Sequence, residues 1–183
     1  MKLQRAFKVK RIYLDFDGVV ADSAAECINS ALSVWLSHNQ SRSLQLTSDD
    51  LIRVADVCAL NRHLVIPPEY FYCLIDTVVD EFFRHNYQPC SIQVEKGFNK
   101  KGEITSPTKL ISFKKDLFLF REKKFKLQSD KGWFNENPPT KFVSKLFTSL
   151  NVTEAEIYVI SRKNYSAIDK WQDGSDYVFD KIY

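Results

Sequence analysis

Ile12-Tyr13-Leu14-Asp15-Phe16-Asp17-Gly18-Val19-Val20-Ala21-Asp22-Ser23 is the stretch from which the fold of this chain is read. An apolar run, Ile12 to Leu14, leads straight into two carboxylates one residue apart and then a glycine. Residues i and i+2 of a strand share a face. As the strand ends and the chain turns at Gly18, Asp15 and Asp17 can therefore converge on one point. Two converging carboxylates repel each other unless a cation sits between them. A hard divalent ion such as Mg2+ suits that place. It takes oxygen ligands and is commonly held by one or two carboxylates together with a substrate phosphate.

Asp-x-Asp in isolation reads as a solvated turn. Its context here points elsewhere, because the pair follows an apolar strand and is trailed by Asp22-Ser23, a helix N-cap signal. The twelve residues resemble the first motif of the haloacid dehalogenase-like hydrolases, in the subgroup that includes phosphoglycolate phosphatase and beta-phosphoglucomutase. The resemblance implies a Mg2+-dependent phosphomonoester hydrolase acting on a small phosphorylated metabolite. Asp15 would be the nucleophile that forms an aspartyl-phosphate, and Asp17 the general acid and then the base for water. The Asp15 carboxylate and the Asp17 main-chain carbonyl would be the Mg2+ ligands. A carboxylate nucleophile splits one difficult displacement into two easier ones. Phosphoryl transfer otherwise needs mainly positioning and charge neutralisation. Asp17 also argues against carbon–halogen cleavage, which needs no proton donor.

A second apolar run, Ile157 to Ile160, ends in Ser161-Arg162-Lys163-Asn164. A hydroxyl at a strand's carboxyl end, with a helix starting behind it, is well placed to donate to a phosphate oxygen. Taken alone, such a serine is more often a helix N-cap. The segment resembles the family's second motif, which makes Ser161, Arg162 and Lys163, together with Gly18, the implied phosphate-binding residues. The family's third-motif lysine and the acid-ending strand after it have no counterpart within the 183 residues. The resemblance therefore implies a metal site short of a carboxylate and a nucleophile short of its lysine. It also implies an open edge on the first strand. A longer enzyme, a shortened relative with another use, and a partner or second copy that covers the edge all remain open.

Apolar periodicity predicts helices at 23–38, 49–59, 67–85, 107–127 and 139–150, and strands at 10–15, 157–160 and 178–182. Residues 86–106 read as a loop, from Gly97, Gly102 and several Lys and Asn, and residues 130–139 as a loop containing Trp133, with Pro138 and Pro139 opening the helix that follows. This order gives an α/β fold, a Rossmann-like parallel core, incomplete at the C-terminus, at 1–21 and 131–183. An all-helical cap is inserted at 22–130.

Residues 96–126 hold ten Lys or Arg against three acids, interleaved with phenylalanines. The first reading is a solvated helix face with Phe113, Leu117 and Phe120 turned inward. A cap face attracting an anionic substrate comes second, and a nucleic-acid surface last. The cysteines (27, 58, 73 and 90) show no zinc spacing and read as buried free thiols. His38, His63 and His85 are isolated and unneeded by the chemistry above. No apolar run approaches the roughly 20 residues of a membrane span, and the basic N-terminus has no apolar stretch of signal length. These features lead us to expect a cytoplasmic protein.

Overall fold

In the computed structural model, which describes residues 11–84, 91–149, 155–161 and 164–183, the opening apolar run forms β1 (Arg11–Asp15). It pairs in parallel with β2 (Glu156–Ile160), with Tyr13 opposite Tyr158 and Asp15 opposite Ile160. β2 in turn pairs in parallel with β3 (Lys181–Ile182), so the strand order is β1-β2-β3. This small parallel sheet sits in a chain that is otherwise mostly helical. Chain contacts divide it into two units, residues 1–23 with 127–183 and residues 24–126.

In the first unit, Leu14, Ile157 and Val159 alternate onto one sheet face and are buried. The core is built around Trp171 of α9 (Tyr165–Asp173 in chain order). Phe16 meets Trp171 edge-on at 5.6 Å and Phe179 stacks on it at 5.9 Å. The other sheet face carries Tyr13, Tyr158 and Tyr183, stacked in a row at 5.1 and 5.9 Å. Tyr13 and Tyr183 there are 54% and 57% exposed, whereas parallel sheets are ordinarily covered on both faces.

The second unit contains α1 (Ala24–His38), α2 (Gln40–Ser43), α3 (Ser48–Leu60), α4 (Phe71–Arg84), α5 (Ser91–Ile104) and most of α6 (Pro107–Leu127). α4 is buried at every position from Phe71 to Val79, as expected of a helix at the centre of a bundle. Trp35, Val54, Phe98 and Phe113 from the surrounding helices belong to the same apolar cluster as Phe82 of α4.

The structure corrects several expectations. Residues 91–104 of the expected 86–106 loop are helix α5, and 85–90 lie outside the described residues. Its glycines serve close packing rather than a turn. A Cβ on Gly97 would stand 2.5 Å from Thr77 Cγ2, and one on Gly102 would stand 3.2 Å from Tyr70 Cε1. The expected 130–139 loop contains α7 (Asp130–Glu136), capped by Ser129, whose Oγ accepts from Gly132 N. Short α2 was not expected, and β3 is shorter than the run from Val178. In α6, Phe113 and Leu117 are buried as expected, but Phe120 is 37% exposed, because the apolar stripe does not reach the last two turns. α8 (Lys141–Ser149) follows the prolines.

Among the described residues, no helix is long and apolar enough to cross a membrane. Cys27, Cys58 and Cys73 are buried free thiols, while Cys90 and His85 lie outside the described residues.

Candidate functional site

β1 delivers Asp15 to the carboxyl end of the sheet, and Ser161 follows directly on Ile160, the residue paired with Asp15. Phe16 is fully buried against Trp171, and this inward anchor leaves Asp15 and Asp17 exposed on either side of it. The chain then winds back on its own carbonyls. Val20 N donates to the carbonyls of Asp15 (3.2 Å) and Phe16 (3.0 Å), and Ala21 N to that of Phe16 (2.9 Å). Gly18 enters this turn at φ +82°, in the left-handed region that disfavours a side chain. Its N–H donates to the Ala21 carbonyl at 2.8 Å.

Each carboxylate has an assigned partner. Asp15 Oδ1 accepts from the Phe16 N–H at 2.7 Å, and no cationic side chain pairs with Asp15 among the described residues. Asp17 Oδ1 accepts from Ser23 Oγ at 2.7 Å, and Ser23 is itself only 2% exposed. Sequence reasoning took Ser23 as part of a cap signal and missed this contact to Asp17.

Ser161 is half-buried, and its N–H donates to the Tyr183 carbonyl at 3.2 Å. The residue capping α9 is Asn164, whose Oδ1 accepts from Ser166 N at 3.0 Å. That removes the N-cap alternative for Ser161. Arg162 and Lys163 lie outside the described residues.

Among the described residues, no three His, Cys, Asp or Glu side chains gather as a metal site. The donors offered by Asp15 and Asp17 are all oxygens, from two exposed carboxylates and the main chain between them. That set fits Mg2+ in its usual protein setting, where few side-chain ligands are supplemented by water and substrate phosphate.

The basic segment of the second unit is extensively paired. Lys101 meets Asp76 at 2.5 Å and Asp80 at 2.7 Å, Lys114 meets Glu69 at 3.2 Å, and Lys126 meets Glu122 at 2.6 Å. Arg121 grips the buried carboxylate of Glu26, with Nη2 to Oε2 at 2.6 Å and Nε to Oε1 at 3.2 Å. Lys109 lies over the Tyr72 ring at 4.5 Å. Burial pulls the Lys101 ammonium down, but its hydrogen bonds to Asp76 and Asp80 prevail and hold it above the ordinary lysine value. Cations committed in this way offer little to a phosphate backbone. His38 Nε2 bonds Asp116 Oδ2 at 2.8 Å, within the second unit.

No family model matches the chain, and no curated protein matches it.

Proposed function

We propose that this chain is a haloacid dehalogenase-like phosphomonoester hydrolase with a Rossmann-like core, working on a small phosphorylated metabolite. The observation that carries the reading is the exposed pair Asp15 and Asp17. They flank an anchored Phe16 at the carboxyl end of a parallel strand, beside the end of the strand that leads into Ser161. Ligands of open parallel sheets bind at that end.

In this mechanism an Asp15 carboxylate oxygen attacks phosphorus, and the bond from phosphorus to the ester oxygen breaks. Asp17 gives its proton to the departing oxygen. Water then attacks phosphorus, Asp17 takes its proton, and the acyl-phosphate bond breaks to release phosphate and restore Asp15. Ser23 holds the Asp17 carboxylate in orientation throughout. The Ser161 hydroxyl donates to a phosphate oxygen, and Gly18, Arg162 and Lys163 are the further phosphate-binding residues that the resemblance implies, Arg162 and Lys163 lying outside the described residues. Mg2+, held by the Asp15 carboxylate and the Asp17 carbonyl, would neutralise phosphate charge. Phosphoryl transfer to a sugar hydroxyl instead of water is a variant of the same chemistry. A cytoplasmic location belongs to the same proposal, as does a partner along the outer edge of β1.

Hydrolysis of p-nitrophenyl phosphate, with and without Mg2+, tests the reading. Mg2+-dependent turnover lost in Asp15→Asn supports it. A folded chain without turnover, or turnover surviving Asp15→Asn, overturns it. The second reading is a phosphate-ligand binder without turnover, favoured by the missing third metal-site carboxylate among the described residues. Nucleic-acid binding through 96–126 ranks below both, given how many of those cations are paired.

A further inference from the structure

The loop that carries Asp17 is held from outside by a strap far away in sequence. Asp22 N donates to the Pro138 carbonyl at 2.8 Å, Ala21 bridges to Pro139 in antiparallel fashion, and Thr140 N donates to the Val20 carbonyl at 3.0 Å. Thr140 also reaches the loop with its side chain, Oγ1 donating to the Val19 carbonyl. The same Oγ1 accepts from Val143 N at 3.2 Å and so caps the start of α8. The strap is rooted in the core of its unit. Trp171 Nε1 donates to the Asn137 carbonyl at 2.6 Å, and fully buried Asn137 donates from Nδ2 to the Trp133 carbonyl at 3.0 Å.

We propose that Thr140 is a positioning residue for the Asp15/Asp17 pair, acting through the carbonyls of Val19 and Val20. This rests on the phosphatase reading above. Only Gly18, at φ +82°, separates Val19 from Asp17, so a shift of the Val19 peptide passes directly to the proposed acid. The hydroxyl both donates and accepts, which ties the loop to the first turn of α8.

The test is the kinetics of p-nitrophenyl phosphate hydrolysis with Mg2+ for the full chain and three variants. Thr140→Val removes both bonds of the hydroxyl. Thr140→Asp keeps a good helix cap but has no proton to give the Val19 carbonyl at neutral pH. Thr140→Ser keeps both. We expect kcat to fall about tenfold in Thr140→Val and Thr140→Asp with KM nearly unchanged, since small misplacements of reacting groups are costly. Thr140→Ser should retain wild-type kcat, and Thr140→Asp should melt close to wild type. Thr140→Asp keeps the test open if Thr140→Val fails to fold. Wild-type kcat in Thr140→Asp, or a loss in Thr140→Ser equal to that in Thr140→Val, overturns the inference alone. A folded wild type without turnover overturns the phosphatase reading and takes the inference with it.

Discussion

Ser23 donates its hydroxyl proton to Asp17 at 2.7 Å from a position only 2% exposed, so a buried donor fixes the direction of an exposed carboxylate. In the proposed mechanism Asp17 must face first the leaving oxygen and then a water, and this bond sets its orientation for both. Ser23→Ala should lower kcat roughly tenfold, part of the 10²–10⁴ that general acid–base catalysis contributes. Asp15→Asn should remove turnover altogether. A Ser23→Ala enzyme with unchanged kcat would show that Asp17 is oriented by something else.

Gly97 gives a test of how α4 meets α5. Alanine in a helix interior ordinarily gains about 1 kcal/mol over glycine. Here the new Cβ would sit 2.5 Å from Thr77 Cγ2, and Thr77 is buried and β-branched, with little room to swing aside. Overpacking of this kind costs about 1–3 kcal/mol, so Gly97→Ala should destabilise the protein in urea unfolding. Adding Thr77→Ser removes the offending methyl and should recover much of the loss, as a coupling between neighbours requires.

The same glycine explains which parts of the fold were legible from residues alone. Glycine and lysine density at 86–106 suggested a loop because a turn glycine and a close-packing glycine look alike until the facing helix is known. Asp15, Asp17 and Gly18 were legible because their pattern is local: a strand, two carboxylates at i and i+2, and a turn. Thr140 was not, since its partner Val19 lies 121 residues away and the contact leaves no mark in either neighbourhood. Trp133 was misplaced in a loop for a related reason. The Ser129 cap is a short-range signal, but the bond that buries the indole, Nε1 to the Ala167 carbonyl at 2.9 Å, is long-range.

In the helical unit, Glu26 has a fully buried side chain and takes bonds from Arg121 and from Ser30 Oγ at 2.9 Å. Removing one member of a buried ion pair weakens the compensation of the charge that stays behind, at about 3–5 kcal/mol. Arg121→Met should therefore be strongly destabilising. Glu26→Leu combined with Arg121→Met removes both charges and should be far less so, because a matched apolar pair often equals a buried ion pair. Chemical denaturation of both variants checks the ordering. A double variant as weak as the single one would mean that the pair itself contributes net stability.

The start of α3 has a reciprocal cap, with Asp50 N donating to Thr47 Oγ1 at 3.2 Å and Thr47 N donating to Asp50 Oδ2 at 2.9 Å. The Thr47 backbone N–H is the larger cause holding the Asp50 carboxyl below its ordinary value of 3.8, and the Thr47 hydroxyl is the second. A carboxyl whose pKa is lowered on folding stabilises the native state above its unfolded pKa. That contribution is lost as pH falls through the lowered folded value. The cap should thus weaken only below the ordinary aspartate range and be unaffected at neutral pH. Carboxyl NMR titration separates the two causes. Thr47→Val removes the hydroxyl and should leave most of the shift. Thr47→Pro fits the observed φ of −77° but has no N–H, and should return Asp50 close to its ordinary value. Equal shifts in the two variants would show that the hydroxyl, and not the backbone donor, governs Asp50.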